Sequence, residues 1–508
     1  MKDIYSTVIL KTINIKDNRQ NGEPRMFYSM KHLKPKAGLQ SVLRMLLLST
    51  AVFSTEIWVG SAPFNSIAAY VDDDDDNDEN DDDDDDDDDD NGPAAPVVNQ
   101  TISGNNNAQP AQRSNKNDNS NNSDTNIVQK SKQNQPAQLP KHASNEIVLS
   151  GLSDDEIDNL ASNGYVILQR DFIELAAVTI VRLKVPKGKL LQNAMAEIRA
   201  INTDANTDLN HFYRPGSTTS SKNPQPLMDC EGEHCAALQM IDWPHLPGES
   251  DSCGTGVRIG MIDTGINPDH EAFKGGRLEI IGAVDENRES SRHLHGSAVA
   301  AILLGSAQSR SPGLLPDAHL IAVDAFYRST ENDERSDVFT LIKAMDMLWE
   351  QEVSVINMSL TGGANKLLEE MMANLKADGI IVVAAVGNGG PNAELAYPAA
   401  YSGAIAVTAI DRHKNIYRRA AHGDHVDFAA LGVDVWTATS ISGARTKTGT
   451  SFAAPFVTAA VALIKNTQPD IHYDETVAIL SASALDLGEE GKDTVFGHGL
   501  IQAGSLCD

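Results

Sequence analysis

Five short apolar runs, at 257–262, 319–324, 353–358, 380–386 and 404–410, recur through the C-terminal half of this 508-residue chain. A strand with one wet face alternates apolar and polar side chains. A run such as Ile380-Ile381-Val382-Val383-Ala384-Ala385-Val386 has no wet face and must be covered on both sides. Between the runs lie segments of helical pattern near 295–305, 336–350, 365–377 and 451–466. Strands alternating with helices give a parallel sheet with right-handed crossovers and helices on both faces. The expected fold class is α/β, a three-layer doubly wound parallel sheet.

Sites in such sheets gather beyond the carboxyl ends of the strands. Asp263-Thr264-Gly265 ends the first run, and Gly265 lets the chain turn there. His295-Gly296-Ser297 and Gly449-Thr450-Ser451 each open a helix whose first turns carry small residues, Ala298 to Ala301 and Ala453 to Ala454. A serine hydroxyl is a poor nucleophile at neutral pH. It needs a base within hydrogen-bond reach, and that base needs a carboxylate to fix its tautomer. Asp263, His295 and Ser451 can supply the three roles, in the chain order Asp, His, Ser. Gly387-Asn388-Gly389-Gly390 follows the fourth run, where the Asn388 amide could donate to an oxyanion, with the backbone N–H of Ser451 as second donor. Gly296 and Gly449 flank catalytic candidates, where a missing side chain would admit substrate backbone.

At these residues the chain resembles the subtilases, the subtilisin-like serine proteases. The resemblance rests on GMIDTGINPDHEAF (260–273), HGSAVAAILLG (295–305), VINMSL (355–360), VVAAVGNGGPN (382–392), YPAAYSGAIAVTAID (397–411), VDFAALGVDVWTA (426–438) and GTSFAAPFVTAAVALI (449–464). It implies a subtilisin-like fold and an endopeptidase with Asp263, His295 and Ser451 as triad and Asn388 as oxyanion donor. Some positions depart from the family pattern. Ser297 and Ala298 follow His-Gly where Thr and His are usual, Phe452 and Phe456 replace Met and His, and Leu431 replaces Pro. None of these positions has a proton-transfer role.

Each feature also has a plainer reading. An Asp-Thr-Gly is commonly only a turn, and Asn388 could be only a turn residue beside glycines. His293 lies two residues from His295 but lacks the following Gly-Ser, and Ser297 and Ser359 lack the Gly-Thr frame of Ser451. The alternative to an enzyme is an inactive subtilase-fold protein that binds peptides in its groove. By the resemblance, Ser359, Leu360, Thr361 and Gly362 would pair with substrate backbone as an added strand, and Ala384, Ala385, Val386 and Gly387 would form the other wall. Thr361 and Ala396 add bulk, which predicts small or medium apolar residues before the scissile bond rather than large aromatics.

The net charge of −30 is mostly local. Residues 72–90 hold sixteen Asp and one Glu, leaving −13 for the remainder, an acidic balance that argues against nucleic-acid binding. Four domains are expected. Residues 1–70 read as a targeting segment: Lys31, Lys34, Lys36 and Arg44 precede the uncharged Met45 to Ser54, and Ser66-Ile67-Ala68 offers a small-residue cleavage site. The basic lead is long, so Met26 or Met30 are alternative starts. Export to periplasm or medium is expected, with an uncleaved membrane anchor as the alternative. Residues 71–145, acidic and then rich in Asn, Gln, Ser and Pro, hold too little apolar surface to offset chain entropy and read as a disordered spacer. Weak calcium capture by the acidic run is the functional alternative, but no EF-hand pattern supports a site.

Residues 146–214 show a β-α-β-β-α-β pattern, a small α+β ferredoxin-like sheet covered by two helices. Its position before the protease domain, residues 215–508, resembles the propeptide of secreted subtilases. That resemblance implies an intramolecular inhibitor whose tail lies in the active site and is cut by the enzyme itself, between His211 and Asp229. The four cysteines, Cys230, Cys235, Cys253 and Cys507, all fall in the mature part and allow three pairings. Cys230 with Cys235 and Cys253 with Cys507 is the favoured set; zinc, suggested by His234 beside Cys235, lacks a paired C-x-x-C. The chemistry needs no cofactor, structural calcium is not assignable, polypeptides are the expected substrates, and a monomer is expected.

Overall fold

The computed structural model describes residues 138–216, 235–244 and 254–507. The targeting segment, the acidic run, Cys230, Cys253 and the side chain of Cys235 lie outside the described residues.

The chain opens with β1 (His142–Ser150), α1 (Asp154–Ser162), β2 (Val166–Ile173), β3 (Val178–Lys184), α2 (Leu191–Ile201) and β4 (Asn206–Pro215). Ser153 and Glu156 start α1 with a reciprocal capping box. The strands lie in the order β2-β3-β1-β4, each antiparallel to its neighbour. β1 begins at His142, earlier than the apolar pattern suggests. His142 pairs with His211 across an irregularity that precedes the regular register from Ile147↔Leu209 onward. Alternation along β1 sends Ile147 and Leu149 toward Ile157, Leu160 and Ile198 of the two helices, and Val148 toward the opposite face.

After α3 (Cys235–Met240) come β5 (Arg258–Asp263), β6 (Arg277–Gly282), β7 (Glu289–Ser290), α4 (Leu294–Leu304), β8 (His319–Asp324), β9 (Tyr327–Thr330), β10 (Asp333–Asp337), α5 (Val338–Glu350), β11 (Val355–Met358), β12 (Leu360–Gly362), α6 (Lys366–Ala377), β13 (Ile381–Ala385), β14 (Ala404–Ile410), β15 (Phe428–Leu431), β16 (Val435–Ala438), β17 (Ala444–Lys447), α7 (Thr450–Thr467) and α8 (Tyr473–Ser483). Seven strands form a parallel sheet in the order β15-β14-β13-β11-β5-β8-β6. The five apolar runs are its five central strands. From β5 the chain first fills one side with β6 and β8, then crosses to build the other from β11 onward. The reversal opens a crevice at the carboxyl ends of β5 and β11.

Helices α4 and α7 cover one face and pack on each other; Ala298 to Ala301 lie in α4, which meets β5 and β8, and Ala453 to Ala462 lie in α7, which meets β11, β13, β14 and β15. Helices α5 and α6 cover the other and carry on their outer side the first antiparallel sheet, through Val148, Ile173 and Ile180. That sheet continues through β4 to β10, β9 and β7, and β12 also pairs with β4. The end of β4 is thus shared between the N-terminal domain and the large one.

Candidate active site

Asp263 ends β5 and His295 lies in the first turn of α4. Their side chains meet with Nδ1 2.6 Å from Oδ1, and both residues are under 5% exposed. A buried carboxylate on Nδ1 holds the ring so that Nε2 faces the cleft. Two further contacts fix the pair: Thr264 N–H donates to Asp263 Oδ1 at 2.7 Å, and Thr264 Oγ1 accepts from Gly296 N–H at 2.9 Å. Gly296 is small for a different reason from the one expected. A Cβ there would come within 2.6 Å of the Gly265 carbonyl, so glycine brings helix α4 against the Asp263 turn rather than admitting substrate. Phe452 lies 5.6 Å from the His295 ring, centroid to centroid, and closes its apolar side.

Ser451 stands in the first turn of α7, 1% exposed. Four residues on, Pro455 lacks the N–H that would bond the Ser451 carbonyl. Ser359 Oγ supplies the donor instead, at 2.7 Å. Ser359 Oγ in turn accepts from Asn357 Nδ2 at 3.0 Å, and Asn357 Oδ1 accepts from Thr458 Oγ1 at 2.9 Å. The serine backbone is therefore clamped to the end of β11. The Ser451 hydroxyl donates to the Ser359 carbonyl at 3.2 Å, and His295 Nε2 has no hydrogen-bond partner among the described residues. The Ser451 hydroxyl and His295 Nε2 are therefore not hydrogen-bonded to each other in this structure.

Asn388 lies just beyond β13. Its Oδ1 accepts from both N–H and Oγ1 of Thr450, each at 3.0 Å, which leaves Nδ2 toward Gly216. Thr450 Oγ1 also accepts from Gly387 N–H at 3.1 Å. The amide is thus oriented by the residue next to Ser451.

The cleft contains the protein's own chain. Leu360, Thr361 and Gly362 pair antiparallel with Pro215, Arg214 and Tyr213. Gly216 follows, where a Cβ would overlap the Ser451 hydroxyl, lying 3.1 Å from Ser451 Cβ and 3.4 Å from Asn388 Nδ2. Ser359, Leu360, Thr361 and Gly362 therefore flank a bound segment. Ala384, Ala385, Val386 and Gly387 are buried, the first three among the core side chains, and a Cβ at Gly387 would lie 3.3 Å from Thr361 Cγ2 and 3.5 Å from Ala396 Cβ.

Two acids border the Asp263–His295 pair. Burial raises Asp324 above the usual carboxylate range, with bonds from Phe326 N–H and Ser291 Oγ opposing. Glu334 is also raised, chiefly by burial, against a hydrogen bond from Arg292 N–H. Among the described residues no cluster of three or more His, Cys, Asp or Glu could hold a metal ion. Cys507 is disulfide-bonded.

Thr264, Thr450, Phe452 and Gly216 went unmarked as site residues. Thr264 and Thr450 stand inside the two motifs beside Asp263 and Ser451, and that adjacency is the available signal. Nothing local singles out Gly216.

Comparisons with known proteins place these features in context. A family model described as the subtilase family matches residues 254–499. Subtilisin DY of Bacillus licheniformis is 31% identical over 258 residues, covering 49% of this chain and 89% of that protein. The minor extracellular protease Epr of Bacillus subtilis (strain 168) is 30% identical over 251 residues, 49% of this chain and 38% of Epr's own length. Fervidolysin from Fervidobacterium pennivorans, described as a keratinolytic enzyme related to subtilisin, shares the fold with a TM-score of 0.62 at 19% identity, covering 73% of this chain and 62% of that one.

Proposed function

This chain belongs to the subtilase family, and from that membership we propose that it is an exported serine endopeptidase matured by cutting its own chain after Gly216. In this reading Ser451 attacks the peptide carbonyl and His295 takes the hydroxyl proton, then returns it to the leaving amine. Asp263 holds the imidazole tautomer and stabilises the imidazolium, and Asn388 Nδ2 with the Ser451 N–H stabilises the oxyanion. The acyl-enzyme on Ser451 is then hydrolysed by water.

The observation that carries this reading is the juxtaposition of the buried Asp263–His295 pair, Ser451, Asn388 and a chain segment running through the cleft as an added strand. Residues 142–216 act as the propeptide: they dock on α5 and α6, and their tail fills the cleft. A residue without a side chain at the nucleophile fits the small-residue preference expected there. Export is supported by the uncharged stretch 45–54 and by the extracellular description of Epr.

One observation favours the alternative of an inactive peptide-binding protein: the Ser451 hydroxyl is bonded to the Ser359 carbonyl rather than to His295. A fluorophosphonate probe separates the two. An endopeptidase is labelled at Ser451 and loses label on His295→Ala substitution; absence of labelling in the processed protein favours the inactive reading.

A further inference from the structure

Strand β4 leaves its own domain and passes between β10 and β12. Ser336 and Asp337 of β10 pair with Tyr213 and Phe212, while β12 pairs with Tyr213 to Pro215. Side chains of a strand alternate, so Tyr213 and Pro215 share one face and Phe212 and Arg214 the other. Tyr213 is fully buried against Gly362, and its hydroxyl donates to the Gly363 carbonyl at 2.8 Å. The opposite face meets Asp333 and Arg335 of β10. Arg214 Nε donates to Asp333 Oδ1 at 2.8 Å, and Arg335 Nη1 holds Asp333 Oδ2 at 2.8 Å. The Arg335 guanidinium also lies 3.8 Å over the Phe212 ring.

The ownership of these groups decides what they mean. Arg214 Nη2 reaches one group of the N-terminal domain, the Pro140 carbonyl. Its charged partner, Asp333, belongs to the protease domain and stays when the propeptide leaves. Asp333 is 2% exposed with the tail bound, and each of its two oxygens is matched by one arginine. A neutral side chain in place of Arg214 would leave one carboxylate oxygen desolvated and unpaired, and an acidic one would set like charges together.

Resting on the endopeptidase reading, we propose that Asp333 is a specificity-determining residue. It selects a basic side chain two positions before the residue whose carbonyl meets Ser451, so that the favoured substrates are peptides of the pattern aromatic-Arg-X-small. Hydrogen bonds to charged groups, discounted for a guanidinium about a quarter exposed, give a preference on the order of tenfold for Arg over a neutral isostere.

The test uses the processed enzyme and three matched peptides spanning Phe-Tyr-Arg-Pro-Gly-Ser, with Arg, citrulline or Glu at the third position. The expected order of kcat/KM is Arg over citrulline by about tenfold, with Glu lowest, and Asp333→Asn should bring the Arg-to-citrulline ratio close to one. Equal cleavage of the Arg and citrulline peptides by the wild type overturns the proposal while leaving the endopeptidase reading intact. An unchanged preference in Asp333→Asn overturns the assignment to Asp333. Failure to cleave any peptide overturns both readings. The wild-type ratio decides the matter even where the variant does not fold.

Discussion

Replacing Arg182 with Leu tests how the proposed propeptide is held. Arg182, on β3, reaches across the domain boundary to Asp337, the N-cap of α5, with Nη1 3.2 Å from Oδ2. Asp337 is 0% exposed and also takes Arg288 at 3.2 Å, Thr340 N–H at 3.1 Å and Thr340 Oγ1 at 3.0 Å. Breaking a buried ion pair by removing one partner costs about 3–5 kcal/mol when the remaining charge has no other partner. Here Arg288 and the helix N-terminus still face the carboxylate, so the cost falls below that range, to about 2–3 kcal/mol. Glu146, at 3.6 Å and partly exposed, adds little. The processed propeptide of Arg182→Leu should therefore bind its protease roughly 30- to 150-fold more weakly. Peptidase activity recovered on serial dilution of the processed complex reads this directly. A change of less than about threefold would refute the view that the Arg182–Asp337–Arg288 cluster anchors the propeptide.

Further outcomes follow from the same contacts. Asn388→Ala should lower kcat by about 10² to 10³ with KM little changed, a magnitude taken from the corresponding donor of subtilisin itself rather than worked from this structure; a loss below tenfold would count against its oxyanion role. Docking of the propeptide should weaken in mild acid. The pKa of His211 is lowered, burial being the largest cause, with His142 adding and Asp208 opposing. Its Nδ1 lies 3.1 Å from Asn365 Nδ2, the N-cap of α6. A histidine whose value is depressed in the docked state contributes stability fully above its ordinary value of about 6.5, and loses it as pH falls through the depressed value. Propeptide release should rise between pH 7.5 and 5.5 in gel filtration, and His211→Gln should flatten that dependence. Release that is greater at pH 7.5 would contradict it.

What the sequence made legible follows from where the information lies. The five central strands announce themselves because a strand covered on both faces cannot hide polar residues, and each candidate catalytic group sits at the end of such a run or at the start of an alanine-rich helix. β6 was missed because it is an edge strand, and its Arg277 and Glu279 face water. β15, four residues of Phe-Ala-Ala-Leu, was too short to claim a strand by periodicity. The polar start of β1 is ordered by pairing with β4, some sixty residues away in the chain, a signal absent from any local window. The same holds for Asp333, which finds Arg214 across more than a hundred residues, and for Thr450, whose hold on Asn388 depends on how α7 meets the end of β13. Local pattern fixed which residues could act; non-local pairing decided what they touch.

The most direct test of the account is the intact mass of the chain 138–508 beside its Ser451→Ala form, each purified alone. The account predicts that the wild type separates into two fragments divided between Gly216 and Ser217, and that Ser451→Ala stays whole. Division of the Ser451→Ala chain at the same bond, or a wild type that stays whole under conditions where it is folded, would contradict self-cleavage by this triad.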